Sequence, residues 1–259
     1  MVRSAESASP RPGRLEASWL GRVPYLAGWR LQEAVAARVR DGSGPERLLL
    51  LEHDPVYTIG RSGSVANLLA APEVLRAAHA SAYRVDRGGD ITYHGPGQVV
   101  GYPILALGQG PDLVAYVRAI EDALGAALRR YGIASRTVAK RTGVWVDLPD
   151  GREAKIAAIG VRVSRGVSSH GFALNVATDL AAFGRMIPCG FAHEVASLER
   201  LGVRAPLAEV AARCAEALAE RLGRDLAWAE SVPVPRDEEI GEHAPVRDAR
   251  DLVAEAVAR

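Results

Sequence analysis

The chain contains, between two apolar segments, the glycine-rich stretch Arg87-Gly88-Gly89-Asp90-Ile91-Thr92-Tyr93-His94-Gly95-Pro96-Gly97-Gln98-Val99-Val100-Gly101-Tyr102-Pro103. This stretch holds five glycines and two prolines, yet residues 90–93 and 98–107 alternate in the manner of β-strands. Residues 95–97 separate the two segments as a turn. Because glycine lets a backbone approach a ligand closely or take a positive φ, the stretch predicts either the wall of a binding site or a glycine-rich hairpin.

Apolar spacing outside this stretch predicts helices and strands in alternation. Helices are predicted over residues 25–40, 72–80, 112–131 and 206–222. Strands are predicted over residues 47–53, 56–59, 82–87, 143–148, 155–164 and 169–176, the last three joined by glycine-containing turns. Interspersed strands and helices with many hairpin links predict an α+β fold, a single domain in which helices flank a mixed, largely antiparallel sheet.

The composition is that of an ordinary globular protein, with 259 residues, 48% apolar residues and a net charge of +1. It offers no basic surface for nucleic acid, and no apolar run is long enough to cross a bilayer. The first residues lack the apolar core of a signal peptide. We expect a cytoplasmic monomer that binds neither nucleic acid nor membrane. We further expect a disordered leader over residues 1–14, a folded domain over 15–232 and a loosely attached acidic, proline-rich tail over 233–259.

The two cysteines differ in their sequence context. Cys214 lies four residues from both Val210 and Leu218 in a predicted helix, which is a core position for a small apolar residue. Cys189 follows a proline and precedes a glycine outside any periodic segment, where a nucleophile has the access that it needs. The residue types alone leave Cys189 open as a nucleophile or as an ordinary cysteine of an irregular segment.

Lys155 is one of only two lysines among the 32 basic residues, the other being Lys140. In a regular strand over residues 155–163, Lys155 would share one face with the apolar side chains at positions 157, 159, 161 and 163. Burial against that face would disfavour the charged form, so that Lys155 could stabilise a thiolate when charged and accept a proton when neutral. The alternative is an ammonium group that reaches water from the end of a strand.

The six histidines show no metal-ligand spacing, either with one another or with the cysteines. The sequence also lacks a phosphate-binding Gly-x-x-x-x-Gly-Lys loop and the Gly-x-Ser-x-Gly motif of serine hydrolases. His94 and His170 each precede a glycine in a predicted turn or strand, where a hydrogen-bonded structural histidine is the commoner outcome. We therefore predict no metal site.

Four motifs resemble, in order and spacing, those of the lipoyl(octanoyl) transferases, the lipoate-protein ligase B family. They are residues 87–98 of the glycine-rich stretch, Lys155-Ile156-Ala157-Ala158-Ile159-Gly160-Val161-Arg162, His170-Gly171-Phe172-Ala173-Leu174-Asn175-Val176 and Ile187-Pro188-Cys189-Gly190. The resemblance extends from about Leu15 to Leu222. It implies the biotin/lipoate protein ligase catalytic fold, with an octanoyltransferase as the catalytic domain over residues 15–232.

The resemblance also implies a reaction, the transfer of an octanoyl group from acyl carrier protein to a specific lysine of a lipoyl domain. The implied acceptors are 2-oxoacid dehydrogenase E2 subunits and the glycine cleavage H protein, in the first step of protein lipoylation. Cys189 is implied as the nucleophile that carries the acyl group as a thioester, and Lys155 as its partner. No cofactor is implied, neither ATP nor a metal, because the phosphopantetheine arrives on the donor protein.

The residues implied to line the acyl pocket come from three of the four motifs. They are Arg87, Gly88, Gly89, Asp90, Ile91, Thr92, Tyr93, His94, Ala158, Ile159, Gly160, Gly171, Phe172 and Ala173. Backbone amides near Gly190 or Gly160 and the side chain of His94 are candidates for stabilising an oxyanion.

Two alternatives share the fold. One is an ATP-dependent lipoate- or biotin-protein ligase, and the other is a non-catalytic protein that binds lipoyl domains. A ligase forms an acyl-adenylate and has no use for a nucleophilic cysteine, so Cys189 together with Lys155 favours the transferase.

Overall fold

The structure is a computed structural model that describes residues 13–187, 194–229 and 232–235. Its helices are α1 (Tyr25–Arg40), α2 (Pro72–Ala77), α3 (Leu113–Arg129) and α4 (Leu207–Leu222). Its strands are β1 (Gly13–Val23), β2 (Glu46–His53), β3 (Val56–Ile59), β4 (Ser81–Arg84), β5 (Ile91–His94), β6 (Gln98–Ile104), β7 (Arg136–Val138), β8 (Arg141–Asp147), β9 (Glu153–Ser164), β10 (Val167–Asn175), β11 (Glu194–Val195) and β12 (Arg224–Trp228). Short 3-10 helices cover Val65–Asn67, Leu180–Arg185 and Glu199–Leu201.

The strands form two sheets. In the larger one the order is β12-β1-β2-β6-β10-β9-β8-β7, with β11 beside β9, and the smaller one has the order β4-β3-β5. The pairs β1–β12, β1–β2, β9–β11 and β3–β4 are parallel. The other pairs are antiparallel. The prediction of a mixed, largely antiparallel sheet in an α+β domain is therefore confirmed.

Helices α3 and α4 cover one side of the larger sheet because each carries a single apolar stripe. Asp112 caps α3, since its carboxylate accepts a hydrogen bond from the Ala115 amide at 2.9 Å. Helix α4 ends at Gly223, which has a φ of 61°. The side chains that α3 and α4 bury pack on those of the sheet, among them Leu48, Leu50, Val99, Val144, Val146, Ile156, Phe172 and Leu174.

Helix α1 covers the opposite side of the larger sheet. Its buried side chains pack on Leu49, Leu51, Val100, Tyr102 and Ala173, which alternate along their strands with residues of the α3/α4 side. Val232 and Val234 pack against the same cluster, although Val234 lies in the predicted tail. The larger sheet therefore has two distinct sides, an α3/α4 side and an α1 side.

The two strands of the glycine-rich stretch belong to different sheets. Strand β5 pairs with β3 in the smaller sheet, whereas β6 pairs with β2 and β10 in the larger one. Residues 95–97 therefore carry the chain from one sheet to the other, and the glycine-rich hairpin is excluded.

The predicted bounds hold best for the long helices and the β8–β9–β10 meander. Strand β6 ends at Ile104 rather than at residue 107, β4 ends at Arg84 rather than at 87, and α2 ends at Ala77 rather than at 80. Strand β1 begins at Gly13, two residues inside the predicted leader. The rest of the leader and residues 236–259 of the predicted tail lie outside the described residues. None of the helices in the described part has the length and apolar character that a membrane span requires.

Candidate functional site

The structure brings three of the predicted pocket segments together. In the β9–β10 ladder, Ala158 pairs with Ala173, Ile159 with Phe172 and Gly160 with Gly171. The glycine-rich stretch crosses this ladder, where the Gly88 amide donates to the Val161 carbonyl at 3.0 Å. Residues 87–89, 158–160 and 171–173 are thus neighbours in space.

Close backbone packing explains why residue 160 is a glycine. A Cβ atom on Gly160 would lie 2.9 Å from the Gly88 carbonyl oxygen and 3.1 Å from Cδ of Arg87. Real side chains do not approach a backbone oxygen so closely, so Gly160 allows the glycine-rich stretch to lie against β9. This contact also identifies the α1 side of β9 as the side that the stretch covers.

The side chains at positions 159 and 172 face away from that side. Phe172 belongs to the α3/α4 core, and Ile159 packs against it. Ala158 pairs with Ala173, which belongs to the α1-side cluster. On the side covered by the stretch, the ladder therefore presents the small residues Ala158, Gly160, Gly171 and Ala173.

Arg87 is buried and its guanidinium binds to Thr58. Nη2 of Arg87 donates to the Thr58 carbonyl at 2.6 Å and to its hydroxyl at 2.9 Å. Nη1 donates to the carbonyl of Gly88 at 3.0 Å. These contacts tie the start of the glycine-rich stretch to β3.

Asp90 connects the glycine-rich stretch to a second segment. Its carboxylate accepts from the Ile91 amide at 2.6 Å and from Nδ2 of Asn67 at 2.7 Å. The Asn67 carbonyl in turn accepts from the amide of Ile187 at 2.9 Å. Ile91 and Tyr93 point into the core of the smaller sheet, together with Met186.

His94 lies in a buried chain of polar side chains. Gln98 donates through Nε2 to Asn175 at 2.9 Å, so its Oε1 accepts from Nδ1 of His94 at 2.8 Å. Nε2 of His94 then carries no proton and faces the Thr58 hydroxyl at 3.5 Å. Burial, and after it the neighbouring His53, lowers the pKa of His94 to about 3. The role of oxyanion donor suggested for His94 is not supported, because its one N–H is used within the protein.

Lys155 lies on the side of β9 that the glycine-rich stretch covers, because the strand contains a β-bulge. Trp145 of β8 pairs with Lys155, but the next residue, Val144, pairs with Ala157. Val144 and Ala157 belong to the α3/α4 core, whereas Trp145 points to the other side. The prediction that Lys155 shares a face with residues 157, 159, 161 and 163 is therefore wrong. The extra residue, Ile156, turns Lys155 to the side of Ala158 and Gly160.

The half-buried side chain of Lys155 runs along β8. Its Nζ lies 4.7 Å from the centroid of the Trp145 ring. Strand β11 pairs with β9 at this point, with Val195 opposite Lys155. The Ala196 amide donates to the Lys155 carbonyl at 2.9 Å, and the Ala196 carbonyl accepts from Nδ2 of Asn175 at 2.9 Å.

The structure tests the prediction for Cys214 but not the one for Cys189. Cys214 is 1% exposed in α4, and burial raises the pKa of its thiol to about 12, so it is the core residue that was predicted. Cys189 lies in residues 188–193, outside the described residues, and its role stays a prediction. Before this segment, the amide of Ile187 donates a hydrogen bond to the Asn67 carbonyl. After it, Glu194 pairs with Ala154 of β9, the strand that contains Lys155.

Four residues of this region were not singled out from the sequence: Thr58, Asn67, Trp145 and Asn175. A hairpin register counted from the turn at residues 149–151 would have placed Trp145 near Lys155. The partners of Thr58 and Asn67 are distant in sequence, and nothing local indicates them. Among the described residues, no group of three or more His, Cys, Asp or Glu side chains could hold a metal ion.

Comparison with known proteins gives one matching family model and many similar proteins. The model, described as lipoyl protein ligase A/B catalytic domain, matches residues 24–219. The octanoyltransferase of Solibacter usitatus is 51% identical over 195 residues, which are 75% of this chain and 86% of that protein. The octanoyltransferase of Rubrobacter xylanophilus is 47% identical over 207 residues, which are 78% of this chain and 91% of that protein.

Solved structures with the same fold are more distant in sequence. A lipoate-protein ligase A bound with ATP has a TM-score of 0.68 at 20% identity, and the match covers 94% of this chain and 95% of that chain. A bi-partite lipoate protein ligase from Thermoplasma acidophilum, described with its E2 lipoyl domain, has a TM-score of 0.66 at 19% identity over 95% of this chain and 93% of that chain. At these identities the likeness shows the fold alone.

Proposed function

The chain belongs to the lipoyl protein ligase A/B catalytic domain family and is an acyltransferase, and from this premise we propose that it transfers octanoyl groups from acyl carrier protein to lipoyl domains. The acceptor is one specific lysine of a lipoyl domain, on an E2 subunit of a 2-oxoacid dehydrogenase or on the glycine cleavage H protein. The names of the relatives support the octanoyl group. The E2 lipoyl domain described with a similar ligase supports the acceptor.

One structural observation carries the proposal: the bulge in β9. It turns Lys155 to the side of the sheet where the glycine-rich stretch crosses the small residues Ala158 and Gly160. The chain that follows residues 188–193 then pairs alongside Lys155. Lys155, the small residue Ala158 and the strand that follows residues 188–193 therefore come together along β9.

The first step is a thioester exchange. The thiolate of Cys189 attacks the carbonyl carbon of the octanoyl thioester, and the tetrahedral intermediate expels the phosphopantetheine sulfur. This sulfur would take a proton from the ammonium group of Lys155 and leave as a thiol, so Lys155 would be neutral for the second step. The ammonium group of Lys155 would stabilise the thiolate of Cys189 before the attack. One thioester replaces another, so the step needs neither ATP nor a metal ion.

The second step forms the amide. The acceptor lysine attacks the Cys189 thioester as a neutral amine, the carbon–sulfur bond breaks, and the sulfur leaves as a thiolate. The nitrogen must lose a proton as the amide forms, and a neutral Lys155 would receive it. An amide replaces a thioester, so the transfer is downhill.

The acyl chain would lie along the small residues of the β9–β10 ladder. The glycine-rich stretch packs directly against Gly160, and the Gly101 carbonyl against Gly171, so the chain would pass beside the half-buried Ala158 with the glycine-rich stretch as one wall. Burial of each CH₂ group contributes about 0.8 kcal/mol, so the depth of this space would select the length of the chain. We propose that the protein acts as a monomer in the cytoplasm and uses no cofactor of its own.

An assay without ATP tests the proposal. The purified protein is incubated with octanoyl-acyl carrier protein and a lipoyl domain, and the masses of the intact proteins are followed. We expect octanoylation of the lipoyl domain and a transient octanoyl adduct on the peptide that contains Cys189. Cys189→Ala should abolish both, whereas the matched control Cys214→Ala should keep both.

Three outcomes would contradict the proposal or part of it. Modification that requires ATP and free octanoate would indicate a ligase. Binding of the lipoyl domain without any modification would indicate a non-catalytic binding protein. An adduct on Cys214 would contradict the assignment of the nucleophile.

A further inference from the structure

Two residues of β8 surround the side chain of Lys155, and neither has a role in the reaction described above. Gly143 lies beside the aliphatic stem of Lys155, and Trp145 lies beneath its ammonium group. Both point to the side of the sheet that faces the glycine-rich stretch, because Val144 and Val146 point to the α3/α4 core.

Gly143 leaves a path for the stem. A Cβ atom at this position would lie 3.3 Å from both Cδ and Cε of Lys155 and 2.6 Å from the Ala157 carbonyl oxygen. Its φ of +125° is in a region that other residues rarely adopt. The buried carboxylate of Glu121 accepts a hydrogen bond from the Gly143 amide at 2.9 Å and also pairs with Arg118. Helix α3 therefore fixes this part of β8.

Trp145 presents an aromatic face to the ammonium group. Its side chain is 1% exposed, and its indole N–H donates to the Arg141 carbonyl at 3.1 Å, so the ring is held in one orientation. The Nζ atom of Lys155 lies 4.7 Å from the ring centroid, within the range of a cation–π interaction. The guanidinium of Arg141 lies 3.7 Å from the same centroid.

Charged groups on the neighbouring strands are engaged in ion pairs. On β7, β8 and β9, Arg136 and Arg141 both pair with Glu153. On β11, the carboxylate of Glu194 pairs with Arg152 and Arg200. Beside these ion pairs, Nζ of Lys155 lies over the indole face of Trp145.

We propose that Trp145 is a positioning residue for Lys155. Its ring holds the ammonium group on the side of β9 that faces the glycine-rich stretch, and Gly143 leaves the space that the stem needs. The pair itself is independent of any reaction. Its link to catalysis rests on the proposed function.

The composition makes a direct test possible, because the chain has only two lysines. Lysine labelled with ¹³C at Cε gives two NMR signals, and Lys140→Arg assigns them. We expect the Cε protons of Lys155 to be shifted upfield by the ring current of Trp145, while those of the exposed Lys140 keep ordinary positions. Equal positions for the two lysines in the unmutated protein would overturn the proposal.

Substitutions of Trp145 test the origin of the Lys155 NMR shift. Trp145→Leu should remove the upfield shift and make Lys155 lose its proton about 2- to 30-fold more readily, since the ring no longer favours the ammonium form. Trp145→Phe keeps a ring and should keep part of both effects, which covers the case in which the leucine variant does not fold. Trp29→Leu replaces another buried tryptophan, on α1, and should leave the Lys155 signal unchanged. An unchanged signal in folded Trp145→Leu would contradict the inference.

A double-mutant cycle connects the pair to Cys189. The rate of alkylation of Cys189 by iodoacetamide, read by peptide mass, remains measurable even when acyl transfer is lost. We expect Trp145→Phe to change this rate about 2- to 30-fold when Lys155 is present and to have no effect in Lys155→Ala. An equal effect in both backgrounds would mean that Trp145 only supports the fold. If Lys155→Ala itself leaves the rate unchanged while the NMR shift is present, the proposed pairing of Lys155 with Cys189 fails and the Trp145–Lys155 contact stands.

Discussion

The glycine-rich stretch and the Lys155 region lie on the same side of β9, yet their polar groups are arranged differently. In the stretch, the buried side chains of Arg87, Asp90 and His94 bind to neighbouring protein groups at hydrogen-bond distance. At the other end of the strand, the half-buried ammonium group of Lys155 lies over the ring of Trp145.

The difference indicates that the glycine-rich stretch shapes the site, whereas Lys155 takes part in the chemistry. Hydrogen bonds within the protein hold the stretch in place, and burial keeps His94 neutral, so these groups are poorly suited to exchange protons. The ammonium group of Lys155 lies over the ring of Trp145, and its stem passes beside Gly143. Substitutions at the two ends should therefore have different effects.

The largest effect is expected at Lys155. Lys155→Arg keeps a positive charge but cannot accept a proton near neutral pH, so the rate of acyl transfer should fall about 10²- to 10⁴-fold, as far as in Lys155→Ala. The measurement is the single-turnover rate with an octanoyl thioester donor. Lys140→Arg, at the other lysine, should keep the original rate. A Lys155→Arg variant that retains most activity would show that Lys155 acts through its charge alone.

The next effect concerns the neutral histidines near the glycine-rich stretch. Burial lowers the pKa of His53 to about 4, and burial together with His53 lowers that of His94 to about 3. In the unfolded chain both should titrate near 6.5, so between pH 6.5 and 4 the unfolded chain binds more protons than the folded one. The free energy of unfolding should therefore decrease as the pH falls, by about 3 kcal/mol for each histidine at pH 4.

Urea unfolding at a series of pH values measures this decrease. His94→Asn should reduce the slope of the free energy of unfolding against pH by the amount that one titrating group contributes. His79→Asn is the control for replacing a histidine outside this cluster. Equal slopes in His94→Asn and the unmutated protein would mean that His94 is not held neutral in the folded state.

A third prediction concerns Gly143, the residue of β8 that lies beside the bulge. Gly143→Ala would require a side chain at a φ of +125° and 2.6 Å from the Ala157 carbonyl, so it should reduce the free energy of unfolding by about 2–4 kcal/mol. Gly151→Ala is the matched control, since Gly151 also has a positive φ but nothing within 4 Å of a Cβ atom. It should reduce the free energy by about 1 kcal/mol. Equal losses in urea unfolding would show that the contact with β9 is unimportant.

The smallest effect is a change in the preferred acyl length. Ala158→Val adds two methyl groups on the side of β9 that the stretch covers, and it should favour hexanoyl over octanoyl donors. At about 0.8 kcal/mol per CH₂, the ratio of the two rates should change about fourfold for each methylene excluded. Ile159→Val changes a side chain that faces the α3/α4 core and should leave the ratio unchanged. The opposite result would place the acyl chain on the core side of the sheet.

The sequence predicted well the parts of the fold that depend on local spacing. Helices α3 and α4 were found within a few residues because an apolar stripe and its caps lie within each segment. Cys214 was assigned to the core from the same stripe, and burial confirms it. The meander of β8, β9 and β10 was found because its turns contain glycine.

The features that the sequence missed depend on distant partners. Strands β1 and β12 carry charged residues and pair with each other from opposite ends of the chain. The division of β5 and β6 between two sheets is set by what each strand pairs with, which no local pattern records. The bulge in β9 was missed because it is defined by the pairing with β8, where the Gly143 amide donates to Glu121 of α3. The assignment of Cys189 remains a prediction.

The parallel pairing of β1 with β12 has a consequence for how the chain is made. Residues 13–17 pair with residues 224–228, so the sheet cannot be completed until the ribosome has released nearly all of the folded part. Until then β1 is an unprotected edge, with backbone groups that another strand could bind. A nascent chain that stalls before Arg224 would therefore be prone to associate with other unfinished copies, and production of the protein should depend on synthesis reaching that residue without delay.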